Sequence, residues 1–221
     1  MVATVPAAGA VTSCGAVDVR VIPSLGALVP GLESGHLAAG AVDIPIGLAA
    51  SGPRDCDREA RRMLGPRRSS IFPAPVRAVL EATSYAHACA VSREHCGKGL
   101  SKQLYNILGK IREVDQVMSP CLQAHLFEAC PELSFALMHG GGPMRHSKRT
   151  QEGRDERLAA LRVGLGVGVT PLVERPPSGA ARDDVFDALA LAWTARRIAA
   201  GQGLRLGGDL DGRGLRMEVR A

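Results

Sequence analysis

Apolar and polar positions follow strand-like or helical spacing along most of the chain. Residues 16–22 (AVDVRVI) alternate apolar and polar, which is typical of a strand. Residues 37–48 hold a run of small and β-branched residues that ends in a turn, which predicts a buried strand with Asp43 at its carboxyl end. Residues 183–201 have helical spacing, with aspartates at the start and arginines near the end, as suits the helix dipole.

The rest of the chain is mostly helical by the same criteria. Helices are predicted over about 24–32, 54–64, 76–96, 101–118 and 150–163, and 164–181 is predicted to be a loose Gly- and Pro-rich segment. A strand, a break at Pro131 and a helical turn are predicted after Pro120, and a short last strand over 215–219. This alternation predicts one α/β domain over 1–221, with a mixed sheet flanked by helices, a helical insertion over 54–118 and poorly ordered residues 1–15.

Composition and charge narrow the function classes. The chain has 221 residues, of which 46% are hydrophobic and 22% are charged, and this composition suits a globular domain. Only 3% are aromatic, which argues against an extended stacking platform for single-stranded nucleic acid. A net charge of +5 permits a polyanionic partner without requiring one. The longest apolar stretch, 163–173, is too short to cross a membrane, and the N-terminus lacks the basic region of a signal peptide. The cysteines form no CxxC pair, so reduced thiols and a cytoplasmic location are expected.

Carboxylates are the strongest candidates for chemistry. Asp184 and Asp187 are three residues apart and would share one face of a helix near its positive end; a solvated acidic helix start is the ordinary alternative. Asp43 lies in an apolar strand, where a buried carboxylate must be paired, protonated or bound to a metal. Glu128 and Glu132 lie around the end of another predicted strand. If these elements converge, their oxygens form the ligand set that Mg²⁺ or Mn²⁺ prefers.

Basic and hydroxyl side chains are candidates for holding phosphate groups. These residues are Arg67, Arg68, Ser69, Ser70, Lys98, Lys102, Lys110 and Lys148. Taken alone, each of them is better explained as part of an ordinary solvated face. The Gly164-x-Gly166-x-Gly168 motif lacks the Lys-Ser/Thr of a P-loop and is not interpreted as one.

Several long stretches carry a family resemblance. They are VDIPIGL (42–48), RDCDREARRMLGPRRSSIFPAP (54–75), GKGLSKQLYNILGKIREVD (97–115), EACPELSFA (128–136), SKRTQEGRDERL (147–158) and DDVFDALALAWTA (183–195). Together they resemble the domain-of-unknown-function family 429, whose members are expected to be RNase H-like nucleases. The resemblance implies an RNase H-like fold, with Asp43 as the strand carboxylate, Asp184 and Asp187 on a closing helix, and Glu128 and Glu132 as the paired glutamates.

The sequence departs from this family at two places. Members usually begin with a Gly-Val-Asp-Gly strand and a Gly-Gly-Trp turn, whereas this chain begins MVATVPAAGAVTSCGAVDVRV, and no such turn follows Asp18. The expectation is therefore that the family's first strand is missing here, through a misplaced start or a loss. The family's histidine between the paired glutamates is Cys130 in this chain.

These observations leave more than one function open. The first hypothesis is a nuclease dependent on Mg²⁺ or Mn²⁺, in which Asp43, Asp184, Asp187 and Glu128 bind the metal and Glu132 completes the catalytic set. The alternative is a catalytically impaired RNase H-like module that binds nucleic acid or protein. A protein acting on small phosphorylated metabolites, as in sugar kinases of this superfamily, is a third class. The sequence distinguishes neither DNA from RNA nor a monomer from an oligomer.

Overall fold

The structure is a computed structural model, and it describes residues 1–4 and 17–221. Within these ranges the strands are β1 (Val2–Thr4), β2 (Asp18–Arg20), β3 (Gly40–Val42), β4 (Leu126–Glu128), β5 (Arg205–Leu210) and β6 (Arg216–Arg220). The α-helices are α1 (Val29–Glu33), α2 (Asp55–Leu64), α3 (Tyr85–Cys96), α4 (Lys102–Asn106), α5 (Leu108–Val117), α6 (Pro131–Met138), α7 (Gln151–Leu165), α8 (Thr170–Glu174) and α9 (Arg182–Ala199).

The strands form small sheets of both senses. Strands β3 and β4 are parallel, with Val42 opposite Glu128. A parallel bridge between Ala129 and Arg220 places β6 beside the end of β4, and β5 pairs antiparallel with β6. Strands β1 and β2 form a separate antiparallel pair. The predicted α/β class with strands of mixed sense is therefore confirmed.

Helix α9 lies at the centre of one of the hydrophobic clusters of the described chain. Its residues Val185, Phe186 and Leu189 are buried, together with Phe135 of α6 and Leu161 of α7. The helix also packs against β1 and β3. Because its apolar face is covered on several sides, α9 holds its first turns in a fixed position beside the end of β3.

The predicted helical stretch over 54–118 is present, but its helices are shorter and more interrupted than the sequence periodicity indicates. A 3₁₀ helix at Arg77–Glu81 precedes α3, which begins where the Ser84 hydroxyl accepts a hydrogen bond from the His87 N–H. The predicted helix over 101–118 is divided into α4 and α5. Helix α4 is capped by Ser101, whose hydroxyl accepts from the Leu104 N–H at 3.1 Å.

Two short elements are not anticipated by the sequence pattern. Strand β5 (RLGGDL) has glycines at its centre, which weaken the pattern of a strand; Gly207 has φ +72°, and a Cβ there would lie 2.6 Å from that of Cys56. Helix α8 lies inside the predicted loose segment. The predicted order of a strand, a break at Pro131 and a helical turn is confirmed: Pro131 begins α6, since proline fits the first helical turn.

At the N-terminus, Val2–Thr4 form β1, while the rest of the stretch expected to be poorly ordered, residues 5–15, lies outside the described residues. No helix in the described ranges is long and apolar enough to cross a membrane.

Candidate functional site

A cavity of about 650 Å³ opens at the carboxyl ends of β3 and β4, the edge where open α/β sheets commonly bind ligands. Asp43 and Glu128 come from these two strand ends, and Asp187 from α9. The other walls come from 69–72, from the α4–α5 region and from the 147–149 loop. Residues of the 54–118 stretch thus form one side of the cavity.

Asp43 is the first residue after β3 and presents its carboxylate to the cavity. The residue is exposed to water at the cavity, although many protein atoms lie close to its carboxyl group. That burial, followed by the negative charges of Asp187 and Glu128, raises the pKa of Asp43 to about 7, although Lys148 opposes the shift. Near neutral pH the carboxyl group is therefore balanced between its protonated and ionised forms.

Asp187 lies on the second turn of α9 and forms an ion pair with Lys148. The Lys148 Nζ is 3.0 Å from Asp187 Oδ2. Burial, together with the negative charges of Glu132 and Asp183, raises the pKa of Asp187, although Lys148 opposes the shift. Burial also acts to lower the pKa of Lys148, but the charge of Asp187 reverses this effect and raises it. The lysine therefore stays charged and partly neutralises the acidic side of the cavity.

Glu128 borders the cavity but its carboxylate is bound by Arg54. The Arg54 guanidinium donates to both Glu128 oxygens, at 2.7 and 2.6 Å, and to Asp57 Oδ1 at 2.6 Å. All three side chains are buried. We call this group the Arg54 cluster.

The Arg54 cluster also fixes the loop that carries Asp43. Arg54 donates to the carbonyl oxygens of Ile46 and Gly47 at 3.1 Å, and the Ile46 N–H donates to Glu128 at 2.7 Å. Since both oxygens of Glu128 accept from protein donors, this residue positions the loop rather than offering a free ligand to the cavity.

Glu132, at the start of α6, has a similar buried partner. Arg157 of α7 donates to its two carboxylate oxygens at 2.6 and 2.9 Å, and also to the Gly153 carbonyl at 2.9 Å. Arg157 is only 2% exposed. This bidentate pair joins α6 to α7 below the cavity and holds the Glu132 carboxylate in one orientation.

The loop that carries Lys148 is packed closely onto α7. The Glu156 carboxylate accepts from the N–H groups of Arg145 and His146 at 2.8 and 3.0 Å. A Cβ at Gly153 would lie 1.8 Å from the Ser147 carbonyl oxygen, so the loop fits only because this position is a glycine. The place of Lys148 therefore depends on contacts made by its neighbours.

The structure brings together some of the residues that the sequence singles out. Those that line the cavity are Asp43, Glu128, Glu132, Asp187, Arg67, Ser69, Ser70, Lys110 and Lys148. Arg67 lies at its edge and donates to the carbonyl oxygens of Met144 and Arg145, which secures the loop before Lys148.

Four predicted site residues do not line the cavity, namely Asp184, Arg68, Lys98 and Lys102. Asp184 is exposed, and its carboxylate accepts from the Ala181 N–H at 2.9 Å, so it caps the start of α9. Lys102 lies over the rings of Tyr85 and Tyr105, at 4.4 and 5.1 Å from the centroids. Arg68 and Lys98 are exposed. The functional roles of these four residues stay predictions.

Cys130 lies in the cavity wall, at the position where the family resemblance implies a histidine. Burial, followed by the charge of Asp43, raises the pKa of its thiol, so the sulfur stays protonated at neutral pH.

Several residues of the site have no signal in the sequence that separates them from ordinary surface charges. Arg54 and Asp57 belong to a charge-rich helical stretch, and Arg157 to another. Their burial became visible only in the fold. The same holds for Arg149, which also lines the cavity, whereas Lys110 and Ser70 of the same wall are among the residues predicted to hold phosphate.

The charges around the cavity are unevenly paired. Within the described chain, Asp43 is the one acidic side chain of the wall with neither an ion pair nor a hydrogen bond. Lys110 and Arg149 likewise make no side-chain contact of either kind with any described residue. The cavity therefore presents an uncompensated carboxylate together with two uncompensated cations. Across residues 1–4 and 17–221, no group of three His, Cys, Asp or Glu side chains is arranged to hold a metal ion.

The fold and the cavity thus define an α/β protein with a mixed acidic and basic site at the end of its parallel strands. The chain belongs to the family described as protein of unknown function (DUF429), whose model matches residues 4–211. Comparisons with curated proteins and with solved structures found no match.

Proposed function

We propose that this protein is a divalent-metal-dependent, RNase H-like nuclease that hydrolyses phosphodiester bonds of nucleic acid. The observation that carries the proposal is the pairing pattern of the cavity. The unpaired carboxylate of Asp43 can bind a cation, and the unpaired side chains of Lys110 and Arg149 can bind an anion. A phosphodiester with a bound divalent cation carries both charges and therefore complements all three side chains.

Asp43 and Asp187 are the residues that would hold Mg²⁺ or Mn²⁺. They come from different elements, and the charge of Asp187 contributes to the raised pKa of Asp43, so the two carboxylates repel each other across the site. Mg²⁺ is often held by one or two carboxylates plus substrate phosphate and water, so this donor set fits an ion that binds together with substrate. When bound, such an ion polarises the phosphate and activates water.

The raised pKa of Asp43 couples metal binding to pH. Because its pKa is about 7, the carboxyl group must lose a proton near neutral pH before it can hold a cation, so metal binding should weaken as the pH falls below 7. Glu132 is held by Arg157 and is placed to orient groups at the other side of the cavity. Lys110, Arg149 and Ser69 would hold the phosphate backbone.

The RNase H-like topology belongs to the same proposal. Strand β3 and helix α9 pack against each other, and together they place Asp43 and Asp187 in one wall of the cavity.

A second candidate, the binding module without catalysis, is favoured by one observation. Lys148 already neutralises Asp187, and among the described residues the wall offers no free carboxylate besides Asp43. A protein that only binds phosphate backbones would need the cations and not the metal.

Labelled single-stranded, duplex, hybrid and branched substrates, incubated with Mg²⁺ or Mn²⁺, test the proposal. We expect cutting that needs the metal and that falls by about 10²–10⁴-fold in Asp43→Asn and Asp187→Asn. Asp155→Asn, an exposed change on α7, is the matched control and should cut normally. The cutting activity of Asp184→Asn shows separately whether Asp184, which caps α9, takes part in the reaction.

Cutting that survives both cavity variants would contradict the assigned site. Retention of nucleic acid at low salt without cutting under any metal condition would favour the binding module.

A further inference from the structure

A smaller cavity of about 290 Å³ adjoins the main one, and we call it the side pocket. Its walls are Phe72, Gln103, Leu104, Asn106 and Ile107. All of these except Asn106 also line the main cavity, so the two spaces are continuous. None of the five side chains is charged. The side pocket is therefore a neutral compartment beside a charged one.

Phe72 offers an exposed aromatic ring to this pocket, with 46% of the residue accessible. The backbone on both sides of it is anchored. The carbonyl of the buried Ile71 accepts from Arg61 at 2.5 Å, and the Ala74 N–H donates to the buried Asp57 at 2.9 Å. A single exposed apolar side chain is ordinary, but a ring held by a fixed segment at a polar cavity provides a flat stacking surface.

Gln103 and Asn106 add hydrogen-bonding groups beside this ring. They are three residues apart on α4, so their side chains lie on the same side of the helix. Both are exposed, and within the described ranges neither amide makes a hydrogen bond. Each amide group offers two donors and an acceptor, the combination that reads the edge of a nucleobase.

We infer that the side pocket receives one unstacked nucleobase of the substrate, stacked on Phe72 and hydrogen-bonded by Gln103 or Asn106. The inference rests on the proposed function, since it specifies which nucleic acid the site accepts. The adjoining phosphates then lie in the main cavity near Lys110 and Arg149.

This arrangement selects the structure of the substrate. A base inside a duplex is stacked on both faces and paired along its edge, so it cannot enter the pocket without leaving the helix. The site therefore accepts single-stranded or extruded nucleotides. The pocket has a single aromatic ring and therefore stacks a single base. This agrees with the 3% aromatic content, which argues against an extended stacking platform.

The test compares two probes of equal length, oligothymidylate and an abasic deoxyribose-phosphate oligomer. Affinities for the full chain are measured by fluorescence anisotropy at low salt and without divalent cation, so that no strand is cut. We expect the wild-type protein to bind oligothymidylate about 5- to 100-fold more tightly than the abasic oligomer, because this is the gain in affinity that one stacked base provides.

The variants assign this preference to the pocket. Phe72→Leu keeps an apolar side chain but removes the ring, and it should abolish most of the preference for thymidylate. Gln103→Ala should reduce it by about 2- to 10-fold. Val167→Ala, at an exposed apolar residue that lines neither cavity, is the matched control and should change nothing. All three positions are exposed, and circular dichroism checks that each variant is folded.

Equal wild-type affinities for the two oligomers would overturn the side pocket as a base site while leaving the nuclease proposal standing. A preference that Phe72→Leu leaves intact would overturn it as well. Failure to bind any oligomer or duplex would overturn this inference together with the nucleic-acid part of the proposed function.

Discussion

Replacing Arg54 by Met removes the cation of the Arg54 cluster and keeps much of the side-chain volume. The change leaves two carboxylates, Asp57 and Glu128, in a place where they are 2% and 7% exposed. It also removes the donors to the Ile46 and Gly47 carbonyls. Breaking a buried ion pair by removing one partner costs about 3–5 kcal/mol. Because one cation here serves two acids, we expect a loss at the upper end of that range.

The loss should depend on pH. Burial raises the pKa of Glu128, and Arg54 opposes that shift, so in Arg54→Met the opposing effect disappears. A carboxyl whose pKa is higher in the folded than in the unfolded protein binds protons preferentially in the folded state. Stability then falls as the pH rises from the unfolded pKa to the folded one. The deficit of the variant should therefore be larger at pH 8 than at pH 5.

Urea denaturation at the two pH values measures the effect. Arg58→Met on the same helix is the matched control, because Arg58 pairs with Asp55 while both side chains are half-exposed. Such a surface pair contributes about 0–1 kcal/mol. A second change, Glu128→Gln in the Arg54→Met background, should restore part of the stability because it removes one buried charge. The reasoning would be refuted if Arg54→Met cost no more than Arg58→Met, or if its deficit did not change with pH.

Two further predictions follow from the site. In Gly153→Ala the new Cβ would lie 1.8 Å from the Ser147 carbonyl oxygen, so the loop must move away. The free energy of unfolding, measured in thermal melts, should fall by at least about 1–3 kcal/mol. Gly109→Ala in α5, where a Cβ meets nothing within 4 Å, should instead stabilise by about 0.5–1 kcal/mol; equal effects of the two changes would contradict the steric argument. Because the pKa of Asp43 is raised to about 7 in the folded protein, the free energy of unfolding of the wild type should fall as the pH rises from about 4 to 7. Asp43→Asn lacks this group, so in thermal melts its stability relative to the wild type should be greater at pH 8 than at pH 5. A pH-independent difference would show that Asp43 ionises normally.

Local sequence patterns were enough to place part of the candidate site. Asp43 was predicted at the carboxyl end of a strand, and it lies directly after β3 at the mouth of the cavity. Asp187 was predicted on a helix, and α9 carries it into the same wall. Asp184 was grouped with Asp187 by spacing, but its carboxylate accepts from the Ala181 N–H and lies outside the wall. Helical spacing places two residues on neighbouring positions without saying which one a cap will occupy.

Helices, their caps and the position of acids at strand ends were determined by the sequence itself. These features depend on neighbours a few residues away, as the cap of Ser101 shows. Only the tertiary structure decided which acid is free. Glu128 is bound by Arg54 from 74 residues away, Glu132 by Arg157 from 25, and Asp187 by Lys148 from 39. These carboxylates are chemically alike along the chain, and they differ because an ion pair forms through space, wherever folding brings a distant cation within reach.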